Sequence, residues 1–177
     1  MLSDFDVNVI MVDKKGRLFA NFSQIGRSAQ PLLRQKQYEC FSNSDRLEHL
    51  RKWVVTQKIE SQLQIFRELI TKLNDINNRV LLQSAIAKMQ RHYDKLKNAH
   101  SLREIILIES FVAMSYYPTF AKLFDPAFGF KNRGGKLRTE KDALDVINAL
   151  LNYGFSILQG EVAKQLNCLI LDSQVAD

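Results

Sequence analysis

One carboxylate stands out for its surroundings. Glu109 lies inside LREIILIESFVAMSYY, the most apolar stretch of the chain. A carboxylate there must be paired, protonated or bound to a metal, because an isolated buried charge costs several kcal/mol or more. Position alone leaves two readings open. Glu109 is a functional carboxylate, or it faces solvent or pairs with an arginine from another helix. A second feature is the loop over residues 130–141, where Lys131, Arg133, Lys136, Arg138 and Lys141 stand against only Glu140. That loop carries four of the chain's six net positive charges, and Gly134-Gly135 lets its backbone approach a partner closely. Such a loop suits sequence-independent contact with phosphates, and it is also what a solvated surface loop looks like. Third, Asn148 and Asn152 are four apart on one helix face, beside Tyr153 and Gly154. Amides amid Leu150, Leu151 and Phe155 either bridge helices or hold a ligand. His49, His92 and His100 show no ligand spacing with one another or with Glu109, and read as surface histidines. A phosphate-binding glycine loop, a serine nucleophile elbow, a zinc signature and a Cys–His pair are all missing from the sequence.

The elements that must position these residues are mostly helical. Residues 5–22 are the exception. Val7, Val9 and Met11 alternate with Asn8 and Ile10, and DKKG is turn chemistry before Arg17-Leu18-Phe19-Ala20, so a β-hairpin is expected. An isolated hairpin is marginal in water, and nothing later in the chain offers strands to complete a sheet. From Gln30 the pattern turns helical, with Pro31 suited to a first turn and Leu32, Leu33 and Tyr38 on one face. Ser44 is expected to cap a long helix to about Asn74, on the spacing of Leu47, Leu50, Val54, Ile59, Phe66, Ile70 and Leu73. A second long helix is expected over residues 79–98, with Leu82, Ile86, Met89, Tyr93 and Leu96 on its stripe. Ser101 caps a third, over 101–123, apolar almost all round and therefore expected at the centre of a bundle. After the basic loop FGFKNRGGKLR, a helix is expected from Thr139 to about Leu158, with Gly160 dividing it from a short last helix over 161–169. The fold class is thus mainly α: a helical bundle preceded by a β-hairpin.

Bulk composition agrees. With 46% hydrophobic and 25% charged residues in 177, a core can form and wholesale disorder is excluded. No apolar run reaches the roughly 18–20 residues that cross a bilayer. The opening MLSDFDVNVIMVD has acids and no basic n-region, so it does not read as a signal peptide. Cys40 and Cys168 lie far apart, as two reduced thiols of a cytosolic protein would. A net charge of +6 and a pI near 9.4 fit a polyanionic partner, as they also fit many basic proteins without one.

Taken in order, the segments resemble the CRISPR-associated adaptation integrase family, the metal-dependent endonuclease subunit that inserts new spacers. GRLFANF looks like the family's closing hairpin. In LLRQKQY, Arg34, Gln37 and Tyr38 match an R-x-x-Q-Y run. LRKWVVTQKIESQLQIF is similar to the K-I-x-N-Q stretch through Lys58, Ile59 and Gln62, with Ser61 in place of the Asn. LREIILIESFVAMSYYPTF looks like L-x-x-x-E-G-x-x-A-x-x-Y, with Ser110 in place of the Gly. FKNRGGKLRTEKDALDVINALLNYGFSIL is similar to the stretch from the basic loop into D-x-x-N-A-x-L-N-Y-G-Y, the longest and most specific of these motifs.

The resemblance implies that Glu109 is a catalytic, metal-binding carboxylate for Mg²⁺ or Mn²⁺. It implies that Lys131, Arg133, Lys136, Arg138 and Lys141 contact DNA, with Arg34, Lys58, Asn148, Asn152 and Tyr153 in support. The metal would stabilise charge as a DNA 3′-hydroxyl or water attacks a phosphodiester. The implied partners are branched or double-stranded DNA (spacer precursor and CRISPR repeat), a second copy of the intact protein, and the family's second adaptation subunit. The implied setting is antiviral defence in a prokaryotic cytoplasm, with no membrane. Two departures qualify this. Residues 1–26 match only the last hairpin of the family's N-terminal β-domain. Residues 27–177 match its α-helical catalytic and DNA-binding domain, but the family's metal-binding His and second acid follow the NYG helix. LNCLILDSQVAD resembles the run leading into that His, with Asp172 on the Asp of G-L-D-P and Ile170 and Ser173 in place of the Gly and Pro. The expectation is a domain incomplete at both ends, binding DNA but with little or no nuclease activity alone. The alternative is a non-catalytic helical DNA-binding or scaffold remnant of the family.

Overall fold

The structure, a computed structural model, describes residues 9–12, 18–22, 31–133, 145–169 and 171–172. Its elements in chain order are strands β1 (Val9–Val12) and β2 (Leu18–Phe22), then helices α1 (Pro31–Ser42), α2 (Ser44–Lys72), α3 (Ile76–Tyr93), α4 (Leu102–Ala121) and α5 (Val146–Cys168). The chain forms two compact units, one of Met1–Ser42 with Gly134–Asp177, the other of Asn43–Arg133.

The second unit is a three-helix assembly in which α2, α3 and α4 each pack against the other two. Its core follows from residues spaced three and four apart: Ile59, Leu63 and Phe66 on α2, Leu82, Ala85 and Met89 on α3, and Ile105, Ile108, Val112 and Tyr116 on α4. Leu96 and Ala99, in and after a 3-10 turn (Leu96–Asn98), close the same core. The first half of α2 contributes little: its buried residues begin only at Ile59, and Trp53 and Val54 are exposed. Side chains finish the helix ends. Asn43, not Ser44, caps α2 by accepting from the Arg46 N–H, since the residue that caps must sit just outside the first helical turn. Asp75 caps α3, which starts three residues earlier than the apolar spacing suggests and ends at Tyr93. Ser101 caps α4 as expected, and the Glu104 carboxylate reaches back to the His100 N–H.

Two expectations of helix character are corrected. First, α4 is not buried all round. Ile106, Leu107 and Phe111 are exposed and Met114 is 70% exposed, so only the Ile105–Ile108–Val112–Tyr116 stripe enters the core. An apolar average says nothing about which side finds a partner. Second, α5 runs unbroken through Gly160. That glycine is buried, one turn after buried Ser156, and burial of this small-residue face offsets the roughly 1 kcal/mol that glycine costs a helix interior. Asp145 precedes the helix and accepts from the Asn148 N–H at 2.8 Å; Thr139 lies outside the described residues.

In the first unit β1 and β2 pair antiparallel, Val9 opposite Phe22 and Met11 opposite Ala20, with an irregularity between Met11 and Val12. The DKKG turn lies outside the described residues. β2 packs against α5. The short helix α1 is tied to the segment after α5: the Gln37 side-chain amide exchanges two hydrogen bonds with the backbone of Asp172, each 2.8 Å, and the Tyr38 hydroxyl donates to the Asp172 carboxylate at 2.9 Å.

Candidate functional site

Glu109 stands on the flank of the buried α4 stripe, one residue after Ile108 and one turn from Ile105 and Val112. Lys58 stands on the matching flank of α2, directly before buried Ile59 and one turn before buried Gln62. The packing of α2 on α4 therefore brings the two side chains together at the edge of the seam, and the Lys58 ammonium donates to Glu109 Oε1. The pair is partly open to solvent, with 45% of the Lys58 side chain and 32% of the Glu109 side chain exposed. The pairing across helices is of the kind that position alone allowed, with a lysine in the role of the arginine.

The neighbouring polar groups serve other purposes. His92 stacks on Phe111, ring centroids 4.9 Å apart, while His49 and His100 are exposed. Glu60 accepts from the Tyr93 hydroxyl at 2.6 Å, a bond joining α2 to α3 that chiefly holds the phenol above its ordinary value. Beside that bond lies an open groove of about 560 Å³ lined by Gln57, Gln64, Arg67 and Gln90; neither Glu109 nor Lys58 lines it. No group of three His, Cys, Asp or Glu side chains converges among the described residues. A hard divalent ion takes a near-complete shell of oxygen ligands, and Glu109 offers the right donor chemistry but only one donor, already bonded to an ammonium. The described residues do not by themselves fit a metal site.

The basic loop is anchored at its start. A run of aromatic contacts leads out of the core, from Phe66 stacked on Tyr116 at 4.7 Å, through Phe120 and Phe124, to buried Phe130. Gly129 adopts φ 68°, a left-handed conformation that favours glycine, and this reversal returns Phe130 to the aromatic cluster. Lys131 is exposed and Arg133 half-exposed directly after this anchor. Lys136, Arg138 and Lys141 lie outside the described residues.

Of the supporting residues, Arg34 is exposed on α1, where its charge opposes the rise that the Asp172 hydrogen bond causes in the Tyr38 phenol. Asn148 donates its amide to Asp145 at 2.7 Å, which uses it in the helix cap. The backbone carbonyl of Asn152 accepts from the Ser156 hydroxyl, and Tyr153 is exposed. Sequence reasoning placed Gln37, Tyr38 and Asp172 in motifs but gave them no contact with one another. A bond between residues 135 apart has no signature in local spacing.

Residues 1–176 match the family described as CRISPR associated protein Cas1, and the chain belongs to that family. It is similar to CRISPR-associated endonuclease Cas1 1 of Archaeoglobus fulgidus, 27% identical over 182 residues, covering 94% of this chain and 50% of that protein. The protein of the same name from Methanospirillum hungatei is 27% identical over 158 residues, covering 89% of this chain and 44% of that one. The chain thus spans about half the length of these relatives. Among solved structures, a chain of a Cas6-RT-Cas1–Cas2 complex superposes with a TM-score of 0.73 at 17% identity, over 99% of this chain and 18% of that chain. A casposase bound to integration product superposes with a TM-score of 0.60 at 25% identity, over 97% of this chain and 47% of the casposase. No described helix is long and apolar enough to cross a membrane.

Proposed function

We propose that this chain is the DNA-handling part of a CRISPR adaptation endonuclease and integrase, acting on DNA phosphodiester bonds during spacer acquisition in a prokaryotic cytoplasm. The observation that carries the proposal is Glu109: a partly exposed carboxylate at the α2–α4 seam of a chain that matches the family over residues 1–176. Glu109 is one ligand of a Mg²⁺ or Mn²⁺ ion, and its other ligands come from outside the described residues. Lys131, Arg133, Lys136, Arg138 and Lys141 hold the DNA backbone, with Arg34, Asn148, Asn152 and Tyr153 around it. Residues 1–26 correspond to the end of the family's N-terminal β-domain and residues 27–177 to its α-helical catalytic domain. The partners are spacer-precursor DNA, repeat DNA, a second copy of the intact protein and the second adaptation subunit, in keeping with structural neighbours that are Cas1–Cas2 complexes and a casposase on its integration product.

With no ligand group converging on Glu109 among the described residues, those residues by themselves should bind DNA with little nicking. The same observation favours a second reading, a non-catalytic DNA-binding or scaffold relative. Branched DNA titrated by fluorescence anisotropy at several salt concentrations, with nicking followed in Mg²⁺ and in Mn²⁺, tests the proposal. Replacing Arg133, Lys136 and Arg138 together by Ala should weaken binding uniformly across sequences and lower the salt slope by up to about 2.7, some 0.9 per lost phosphate contact. An unchanged slope would mark the loop as merely solvated. Nicking by the chain alone that vanished in Glu109→Ala would show that the chain itself supplies the remaining ligands, whereas no DNA binding at all would sink the function.

A further inference from the structure

We infer that α1 is a conditional helix, held folded by its clasp on Asp172, so that α1 and the segment after α5 order together and release together. Little within α1 itself favours the helix. Twelve residues make a marginal helix in water, because nucleation costs more than so few backbone bonds return. There is no acid in the first turn and no base in the last to complement the helix dipole. None of its described side chains is buried, and Leu32 is 70% exposed. The Gln35 amide reaches Glu39 one turn on, but an exposed pair of that kind carries little weight.

Asp172 supplies what the helix lacks. The end of α5 is tied off just before it: the Leu169 N–H donates to the Gln165 carbonyl at 3.0 Å and the Leu171 N–H to the Leu166 carbonyl at 2.9 Å. Gln37 then donates to the Asp172 carbonyl and accepts from the Asp172 N–H, both at 2.8 Å. Exchange of two bonds with a single residue is how neighbouring strand residues pair, so one side-chain amide stands in for a strand edge. Tyr38 donates to the Asp172 carboxylate at 2.9 Å, and Arg34, one turn earlier, adds its charge beside the phenol. Residues 34, 37 and 38 are three and four apart from the first, so they share a face only when the helix is formed. Folding of α1 and capture of Asp172 therefore favour each other. A partner that drew the segment after α5 away would loosen α1 without touching it. The clasp lies within the first unit and does not depend on the proposed function.

Amide hydrogen exchange of the full chain, followed by nuclear magnetic resonance, tests this. Gln37→Leu keeps the size and helix propensity of the residue and removes only its two bonds, so the amides within α1 should exchange about tenfold faster. Asp172→Ala, 134 residues from Tyr38, should speed the same amides about fivefold. It should also bring the Tyr38 phenol down toward its ordinary value, because the hydrogen bond to Asp172 is the chief cause of its rise. In both variants the amides of α2, α3 and α4 should keep their rates. Gln35→Leu leaves the clasp intact and should change exchange in α1 by less than about twofold. Unchanged exchange in α1 for Gln37→Leu and Asp172→Ala would overturn the inference. So would an acceleration spread equally over α2, α3 and α4, which would mark a general loss of stability, or one as large in Gln35→Leu. Should Gln37→Leu fail to fold, Tyr38→Phe loses a single hydroxyl and should speed α1 about fivefold, and an unchanged rate there overturns the clasp equally.

Discussion

Glu109 and Phe66 sit in the same three-helix unit, yet replacing each by Ala should have very different effects on stability. Phe66 is 0% exposed and stacks on Tyr116 at 4.7 Å, between residues of all three helices. Its truncation removes the transfer free energy of the ring and leaves a cavity, for a loss of about 3–5 kcal/mol. Glu109→Ala breaks one ion pair whose members are 32% and 45% exposed, and pairs of that kind contribute about 0.2–1 kcal/mol. Alanine's better helix propensity returns a few tenths of that, on the order of 0.3 kcal/mol. The net effect is a loss between zero and about 1 kcal/mol, or under about 4 °C in Tm for a chain of this size, against on the order of 10 °C for Phe66→Ala. Urea unfolding followed by far-ultraviolet circular dichroism on both variants measures the contrast. A loss above about 2 kcal/mol for Glu109→Ala would mean that the carboxylate holds the bundle together, the structural role that its partly exposed side chain argues against.

Two further variants probe packing through pH and through space. Burial, with a smaller effect of Tyr117, pushes the Tyr116 phenol up to about 12 from its ordinary 10. Between those values the unfolded chain releases this proton while the folded chain keeps it, so stability is fully present below pH 10 and falls as pH rises toward about 12. Tyr116→Phe should flatten that fall in the urea midpoint, and equal pH slopes in the two proteins would show that Tyr116 is not responsible. Gly154 is an exposed helical position where an added Cβ would meet nothing within 4 Å. Gly154→Ala should therefore raise stability by about 0.5–1 kcal/mol in the same assay, and a loss would mean that residue 154 is not in open space.

The bundle was legible because its core is periodic. Ile59 and Phe66 on α2, and Leu82 and Met89 on α3, announce their buried faces by spacing alone. What spacing could not supply is which apolar side goes unburied and what lies across a seam. Ile106 and Met114 are as apolar as Ile105 and Ile108, and only tertiary packing distinguishes them. Gly160 reads as a helix stop by propensity, a preference of about 1 kcal/mol that burial outweighs. The candidate site shows the same division. An acid in the most apolar helix was visible at once, whereas its lysine partner, 51 residues away on α2, was visible only as part of a motif. That partner changes what the acid means. A buried glutamate would have had to be protonated or sealed in a network. At the rim of the α2–α4 seam, Glu109 instead stays partly open to solvent and accepts from the Lys58 ammonium. Such an arrangement adds little to stability, about 0.2–1 kcal/mol for a pair this exposed.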